Sequence, residues 1–224
     1  MKIIISLGGS LLTSDFSAAN IQKYADEIIN ISKKNKVIVV IGGGKIARQY
    51  IDIADELNCN DYQKDYVAIK LTRANAAIFA SALGNYAEQE IKTTYLGITN
   101  QYNMSEKIIV CGGTAPGQST DGVSANLAKK IKADLMINAT NIDGVYDKNP
   151  AEFKNAKKID KLSYDQFLDI LKNNEQAPGK YGLCDYKAVK ILKEKKIPLI
   201  VVDGTNPKEI YLAVKGNHHG STIN

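Results

Sequence analysis

The stretch VIGGGKIARQY, residues 40–50, sets the expected fold, because three consecutive glycines stand between an apolar run and a helix-forming segment. Glycine adopts backbone angles that other residues avoid, and it lets another group approach the main chain closely. At a strand-to-helix turn, the exposed amide donors and the helix dipole favour an anion, typically a phosphate. Lys45 and Arg48 place cations directly after the glycines. A tight turn without a ligand explains a single stretch of this kind equally well.

The same arrangement recurs along the chain and predicts the fold class. Glycine turns follow four runs rich in Ile and Val, at Gly8-Gly9, Gly42–Gly44, Gly112-Gly113 and Asp143-Gly144. Such runs, alternating with helical segments, are typical of an α/β protein with a mostly parallel sheet. We therefore expect a three-layer α/β/α sandwich around an open sheet. The carboxyl ends of parallel strands form the ligand crevice, so four glycine turns there favour a phosphorylated ligand over four unrelated turns.

Apolar periodicity predicts the positions of the individual elements. Strands are expected at 2–7, 36–41, 107–112, 134–139 and 198–202. Helices are expected at 21–34, 45–57, 61–83 with a possible turn near Lys70, 121–132, 163–172, 185–196 and 206–214. No repeat, low-complexity tract or clear linker divides the chain, which predicts a single domain over residues 1–224.

Composition limits the function classes. The net charge is +5, but the basic residues form scattered lysine pairs without interleaved aromatic residues, which argues against a nucleic-acid partner. No apolar run reaches transmembrane length, and the first twelve residues do not form a signal peptide, so no membrane partner is expected. Three widely spaced cysteines without a CxxC pair indicate a reduced, cytoplasmic protein without structural zinc or another metal site.

The two arginines stand out among 29 basic residues, the other 27 being lysines. Arginine's planar fork grips phosphate oxygens in pairs, whereas lysine acts as a point charge. For Arg48, phosphate contact is favoured over an ion pair with Asp52 four residues later. For Arg73, phosphate contact and an ordinary ion pair are equally good interpretations.

Two widespread phosphate motifs fit poorly. The P-loop pattern GxxxxGK[ST] fails because Ile46, not a hydroxyl residue, follows Gly44-Lys45. Gly42-x-Gly44-x-x-Ala47 matches the dinucleotide pattern GxGxxA, but the second strand with its acidic end is missing from the expected place.

Five segments in a fixed order carry a more specific resemblance: ISLGGSLL, VIGGGKIARQY, KLTRANA, GGTAPGQSTDGVSANLA and NATNIDGVYDKNP, with GSTI at 220–223. Together they make the chain similar to the amino-acid kinase superfamily, and most closely to the archaeal-type uridylate (UMP) kinases. The resemblance spans nearly the whole chain. It implies phosphoryl transfer from ATP to UMP in pyrimidine biosynthesis, a Mg²⁺ ion bridging the ATP phosphates, and a homo-oligomer, specifically a hexamer.

The resemblance also assigns site residues, with the acceptor-binding part mainly N-terminal and the ATP-binding part mainly C-terminal. It implies a transfer zone built from Gly9, Ser10, Lys45 and Arg48. ATP would lie on Gly8, Gly9, Ser10, Gly44 and Arg48 through its phosphates, and on Thr140, Tyr146 and Asn149 through adenine and ribose. UMP would lie on Gly43, Asp65, Thr114, Ala115, Pro116, Gly117, Gln118, Ser119 and Thr120.

Four of these positions, or their neighbours, have a simpler interpretation that stays open. Lys45 could be a solvated lysine, Asp65 a surface acid near a helix start, and Tyr146 a half-buried core tyrosine. Asp121, directly after the loop at residues 114–120, could cap the helix that follows this loop.

The expected chemistry requires no catalytic base. The second pKa of a phosphate monoester is about 6, so the attacking oxygen is mostly ionised near neutral pH. The only histidines, His218 and His219, lie at the C-terminal end. Catalysis would reduce to positioning and electrostatic stabilisation of a direct in-line transfer.

Departures from the family pattern affect the transfer zone. Ser6 stands where many members carry a lysine, and Asn141 where many carry an aspartate, and both changes remove charge. The cation that offsets developing charge could be Arg48, Lys45 or Lys190. The segment APGKYGLCDYKAVK, residues 177–190, resembles the family's late helix start, where Asp185 either organises the site or caps the helix.

Two rival functions keep the same fold. One is a kinase for a carboxylate, carbamate or isoprenoid phosphate, although no histidine is placed for the last of these. The other is nucleotide binding or storage without turnover, which the lost charges at Ser6 and Asn141 favour.

Overall fold

The computed structural model describes residues 1–174 and 183–224. Its strands are β1 Lys2–Leu7, β2 Lys36–Ile41, β3 Ile109–Cys111, β4 Leu135–Thr140, β5 Val145–Tyr146, β6 Lys158–Ile159, β7 Lys161–Leu162, β8 Leu199–Asp203 and β9 Ser221–Ile223. Its α-helices are α1 Gly9–Thr13, α2 Ala18–Ser32, α3 Gly44–Glu56, α4 Asp61–Leu83, α5 Tyr95–Met104, α6 Thr120–Ile131, α7 Tyr164–Asn174, α8 Tyr186–Lys195 and α9 Lys208–Lys215.

Seven strands form one sheet in the order β3-β2-β1-β4-β8-β9-β7. All neighbouring pairs are parallel except β8 and β9, while β5 and β6 form a separate antiparallel pair. The carboxyl ends of β1 to β4 and β8 therefore lie along one edge.

Alternate residues of the central strands feed two separate cores. Ile3 and Ile5 of β1 pack against α2, α4 and α9, whereas Ile4 packs against α5, α6, α7 and α8. Both cores are mostly apolar at the strands because the sheet is covered on both faces. Ser6, Asn138 and Ser221 are the buried polar exceptions among the described strand residues. The expected three-layer α/β/α sandwich is confirmed.

The strong apolar runs predicted most elements well, and the exceptions are short or weakly helical. The strands at 2–7 and 36–41 match to the residue, and α4 runs without a break past Lys70. The helices α1 and α5 and the strands β5, β6, β7 and β9 were not predicted. In the chain from 1 to 174 and from 183 to 224, no helix is long and apolar enough to cross a membrane.

Candidate functional site at the carboxyl edge of the sheet

The first two glycine turns pack main chain against main chain. A Cβ atom on Gly9 would lie 2.3 Å from the Gly44 nitrogen, and one on Gly42 would lie 2.6 Å from the Gly9 nitrogen. No other residue type fits at these contacts. The two turns thus need glycine in order to pack against each other, whether or not a ligand binds. The sequence alone did not reveal this reason.

Side chains from two helices hold the second turn in place. Thr13 Oγ1 accepts the Lys45 N–H at 3.0 Å and donates to the Gly9 carbonyl at 2.9 Å. Asn75 Nδ2 donates to the carbonyls of Gly42 and Gly43 at 3.0 and 3.2 Å. Because these carbonyls accept hydrogen bonds from the protein's own side chains, the turn does not depend on a ligand for its conformation.

The remaining turns adjoin the first two along the same edge. The Gly8 N–H donates to the Ala139 carbonyl at the end of β4 at 3.0 Å, and the Gly113 N–H donates to Thr72 Oγ1 at 2.8 Å. Gly144, after β4, lies against Ser221 and Lys158. The predicted convergence of the glycine turns at one rim of the sheet is therefore found.

A cleft of about 250 Å³ opens between the second turn, α3, α4 and the loop after β3. It gathers seven of the predicted site residues: Gly43, Gly44, Arg48, Asp65, Gln118, Ser119 and Thr120. Six lining residues were missed, namely Ala47, Ile51, Ala68, Ile69, Thr72 and Gly113. Most of them are spaced three or four residues from another lining residue on α3 or α4, so they lie on the same helix face. That spacing could have been used to find them from the sequence.

The acceptor loop, residues 114–120, is held in place by bonds to its main chain. Asp65 Oδ2 accepts the Gly117 N–H at 2.6 Å. Arg73 donates through Nε to the Gly113 carbonyl at 2.9 Å and through Nη2 to the Thr114 carbonyl at 3.0 Å. Arg73 forms no ion pair with any described residue, because its acceptors are backbone carbonyls. Its contact with a phosphate stays a prediction.

The loop side chains differ in their surroundings. Gln118 Oε1 accepts from the Tyr95 hydroxyl, and Thr114 Oγ1 lies 3.4 Å from the same oxygen. Ala115 and Gly117 are exposed and Pro116 is half-buried, and none of the three lines the cleft.

The two cations beside the glycines differ in position. The Arg48 side chain lines the cleft and makes no ion pair or hydrogen bond with any residue of 1–174 or 183–224, Asp52 included. The Lys45 side chain is exposed outside the cleft, and its main-chain N–H is used by Thr13. Lys190, the third candidate cation, lies over the Tyr186 ring at 5.0 Å.

Asp121 does not cap α6, which corrects the sequence expectation. Ser119 is the cap, since its Oγ accepts the Gly122 N–H at 3.0 Å. Asp121 Oδ1 instead accepts from the Ser6 hydroxyl at 2.8 Å. Serine thus occupies the usual lysine position and bonds to a carboxylate without supplying a positive charge.

Asp185 satisfies both roles suggested for it. Its Oδ1 accepts the Lys187 N–H at 2.7 Å as the cap of α8, and its Oδ2 accepts from Ser119 Oγ. The acceptor loop is thereby tied to the start of α8. Of the segment 177–190, residues 177–182 lie outside the described part of the chain.

Two groups next to this loop, the Asp121 carboxyl and the Cys184 thiol, have raised pKa values. Desolvation raises the pKa of Asp121, and the Asp185 charge raises it further, while the bond from Ser6 lowers it. Burial and the same two carboxylates raise the pKa of the Cys184 thiol well above its usual value. The carboxyl of Asp121 therefore resists ionisation more than an ordinary aspartate.

The residues predicted for adenine and ribose lie on the other side of the β1 end. Thr140 closes β4, and the Tyr146 hydroxyl donates to Asp143 Oδ1 at 2.8 Å, a bond that raises the pKa of Tyr146. Asn149 begins a turn by bonding to Glu152 and the Ala151 N–H. Within the described ranges, no hydrogen bond joins these three residues to the cleft.

The first glycine turn lies between the cleft and the residues predicted for adenine and ribose. Gly8 and Ser10 are half-buried there and Gly9 is buried. Across residues 1–174 and 183–224, no group of three or more His, Cys, Asp and Glu side chains is placed to hold a metal ion.

A comparison with protein families identifies this arrangement. The family model described as Amino acid kinase family matches residues 1–203. The chain belongs to the amino acid kinase family. The resemblance drawn from the glycine segments is thus confirmed at the level of the family.

Curated relatives narrow the position within the amino acid kinase family. A uridylate kinase of Methanococcus maripaludis is 41% identical over 226 residues, covering 100% of this chain and 99% of the relative. A uridylate kinase of Thermococcus kodakarensis is 38% identical over 224 residues, with the same shares covered. Both matches span the whole chain, including the C-terminal segment beyond residue 203.

A solved structure agrees with the fold. The crystal structure of uridylate kinase from Archaeoglobus fulgidus superposes with a TM-score of 0.91 at 38% identity, covering 100% of both chains. The closer resemblance to archaeal-type uridylate kinases is therefore also confirmed.

Proposed function

We propose that this protein is an ATP-dependent uridylate kinase, which transfers the γ-phosphoryl group of ATP to UMP and yields UDP and ADP in pyrimidine biosynthesis. One observation supports this most strongly. The cleft brings together a glycine turn held by side chains, Asp65, the hydroxyl-bearing loop and an Arg48 that pairs with no described residue. A phosphate needs hydrogen-bond donors and positive charge, a ribose needs an acceptor for its hydroxyls, and a base needs both donors and acceptors, all side by side. The uridylate kinase relatives supply the identity of the acceptor.

The acceptor half uses the cleft itself. UMP would place its phosphate against Gly43 and its ribose hydroxyls at Asp65. One Asp65 oxygen is held by Gly117, which fixes the carboxylate so that its other oxygen can accept from ribose. Residues Thr114 to Thr120 would surround the base, with Gln118, Ser119 and Thr120 facing it.

The ATP half crosses the end of β1. Its phosphates would lie on Gly8, Gly9, Ser10 and Gly44 and would be reached by Arg48 from the cleft. Its adenosine would lie on Thr140, Tyr146 and Asn149. Gly9 and Gly44 touch, so the donor and acceptor phosphates would meet at the contact of the two turns. Lys45, exposed beside this contact, would add positive charge without direct binding.

The reaction is a direct in-line transfer to an oxygen that is already ionised. Because no proton needs to be removed, backbone donors and Arg48 would act by stabilising charge on the transferring group. Magnesium in nucleotide sites is held mainly by phosphates and water, so Mg²⁺ would arrive as part of the ATP substrate.

We further propose that the protein works in the cytoplasm as a homo-oligomer, a hexamer by resemblance. The three cysteines are free thiols, as a reducing compartment allows. Exposed apolar side chains follow helical spacing on α3 at Tyr50, Ile53 and Leu57, which suits contact with another copy.

The experiment is an ADP-release assay with ATP, Mg²⁺ and a panel of nucleoside monophosphates, carboxylates, carbamate and isoprenoid phosphates. Release that depends on UMP supports the proposal. ADP release that depends on another acceptor would show that this acceptor, and not UMP, is the substrate. Tight UMP binding without ADP release would indicate a storage protein instead.

A further inference from the structure

The C-terminal segment GSTI, residues 220–223, has no place in the site described so far, although it is fully packed. Ser221 of β9 is completely buried. Its Oγ accepts the Val145 N–H at 2.8 Å and donates to the Ile159 carbonyl at 2.6 Å. One hydroxyl therefore joins the end of the chain to the turn at 143–145, which follows β4.

Lys158 of β6 holds the same turn from the outside. Its Nζ donates to the His219 carbonyl at 2.9 Å and lies 3.3 Å from Asp143 Oδ2. Its stem covers Gly144, where an added Cβ would lie 3.1 Å from Lys158 Cδ. Gly144 has a φ of 148°, so the turn is one that few other residues could form.

The partners of Lys158 are themselves held in place. The His219 N–H donates to Glu209 Oε2 at 3.0 Å, and the Glu209 side chain is only 8% exposed. On the other side, Asp143 uses its second oxygen to accept the Tyr146 hydroxyl at 2.8 Å. A continuous chain of bonds thus runs from Glu209 through His219, Lys158 and Asp143 to the Tyr146 ring.

We propose that Lys158 and Ser221 are positioning residues for the adenosine half of ATP. They act through Asp143 and Val145 and hold the Tyr146 ring where the nucleotide would contact it. This inference rests on the proposed function, in which Tyr146 lies against adenine or ribose. Neither residue touches the acceptor cleft, so their effect falls on ATP alone.

Lys158→Met tests the proposal, because methionine keeps most of the stem and removes the ammonium group. The KM for ATP should rise about tenfold, as expected when a charge-assisted bond orienting a binding residue is lost. The KM for UMP and the kcat at saturating ATP should change less than about twofold. Lys158→Arg should restore most of the ATP affinity, which a loss of packing alone would not predict.

Two further variants sharpen the result. Ser221→Ala should raise the KM for ATP in the same direction. Lys161→Met is the matched control. Lys161 and Lys158 both line a second cleft, between residues 158–161 and 216–222, and the Lys161 side chain makes no hydrogen bond with any described residue. This variant should leave both KM values unchanged.

Calorimetric titration with ADP separates this inference from the proposed function. Weaker ADP binding by Lys158→Met than by Lys161→Met supports the positioning role, even if UMP proves not to be the acceptor. Equal ADP affinities in the two variants, or equal rises in both KM values, would overturn it.

Discussion

Replacing Arg48 by alanine should separate catalysis from folding more cleanly than any other single change. The Arg48 side chain lines the cleft, is exposed, and makes no ion pair or hydrogen bond with any described residue. It lies within α3, where alanine is the better helix former. The free energy of unfolding should therefore change by less than about 0.5 kcal/mol, the usual range for a surface substitution.

The effect on the reaction should be far larger. A preorganised donor that stabilises charge in the transition state is worth about 3 to 4 kcal/mol, or about 100- to 1000-fold in kcat. Arg48→Lys keeps the charge but loses the fork, so it should recover only part of this loss. The assay is steady-state ADP release at saturating UMP and ATP, with urea unfolding measured on the same preparations.

Lys45→Ala is the matched control, since Lys45 is a neighbouring cation outside the cleft. It should reduce kcat by less than about tenfold, because an exposed point charge is screened by solvent. An Arg48→Ala variant with undiminished kcat would refute the reasoning, as would a variant whose lost activity is matched by lost stability.

Three further predictions concern the rest of the site. Asp65→Ala should raise the KM for UMP by about tenfold and leave the KM for ATP nearly unchanged in steady-state kinetics. The variant loses the carboxylate proposed to accept from ribose, together with its bond to Gly117. An equal rise in both KM values would contradict this. Gly44→Ala should destabilise the fold by more than about 2 kcal/mol in urea unfolding, because φ is 67° and the new Cβ would lie 2.2 Å from Thr13 Oγ1. Gly117→Ala, with a φ of 78° but no atom within 4 Å, should cost only about 1 kcal/mol, and equal losses in the two variants would be against the packing explanation. The pKa of Asp121 is raised in the folded protein, so the folded state binds its proton more tightly than the unfolded state does. The contribution of Asp121 to the free energy of unfolding is therefore present at low pH, and it is lost as the pH rises through the pKa of the folded state. Asp121→Asn keeps an acceptor for Ser6 without ionising, so its stability relative to the parent should increase as the pH rises above 3.8, the usual pKa of aspartate. A stability difference that stays constant with pH in urea unfolding would contradict this.

The strands that could be predicted best are those that are almost entirely apolar. In β1 and β2 every residue after the first is buried, so the sequence pattern and the strand coincide. The helix α5 was missed because Gly97 and β-branched residues hide its periodicity. The strands β6 and β7 have two residues each, too few to show any period.

Family motifs predicted seven residues that the structure brings together in the cleft. Local rules failed for the cap of α6, where a partner distant in sequence takes part. Ser119, Thr120 and Asp121 are all able to cap a helix, and local rules do not choose among them. The choice depends on Ser6, which is 115 residues away in sequence and bonds to Asp121. Arg73 was ambiguous for a similar reason, because backbone carbonyls brought close by folding leave no trace in the sequence.

The assignments of single-domain organisation and of each binding residue stay predictions. The packing of the glycine turns gives them a physical basis, since two loops without side chains at their contact leave the main chain open to phosphates from both sides. The Ser6–Asp121 pair shows in addition that Ser6 donates to a carboxyl group and supplies no positive charge at this position.

A crystal structure with adenosine and uridine joined by a five-phosphate chain would test the central claim most directly. We expect the phosphates to cross the contact of Gly9 with Gly44, with Arg48 within about 3 Å of a phosphate oxygen. The uridine should lie at Asp65 and the adenosine at Tyr146. A phosphate chain that bypasses the glycine turns, or both nucleosides on one side of them, would contradict the account.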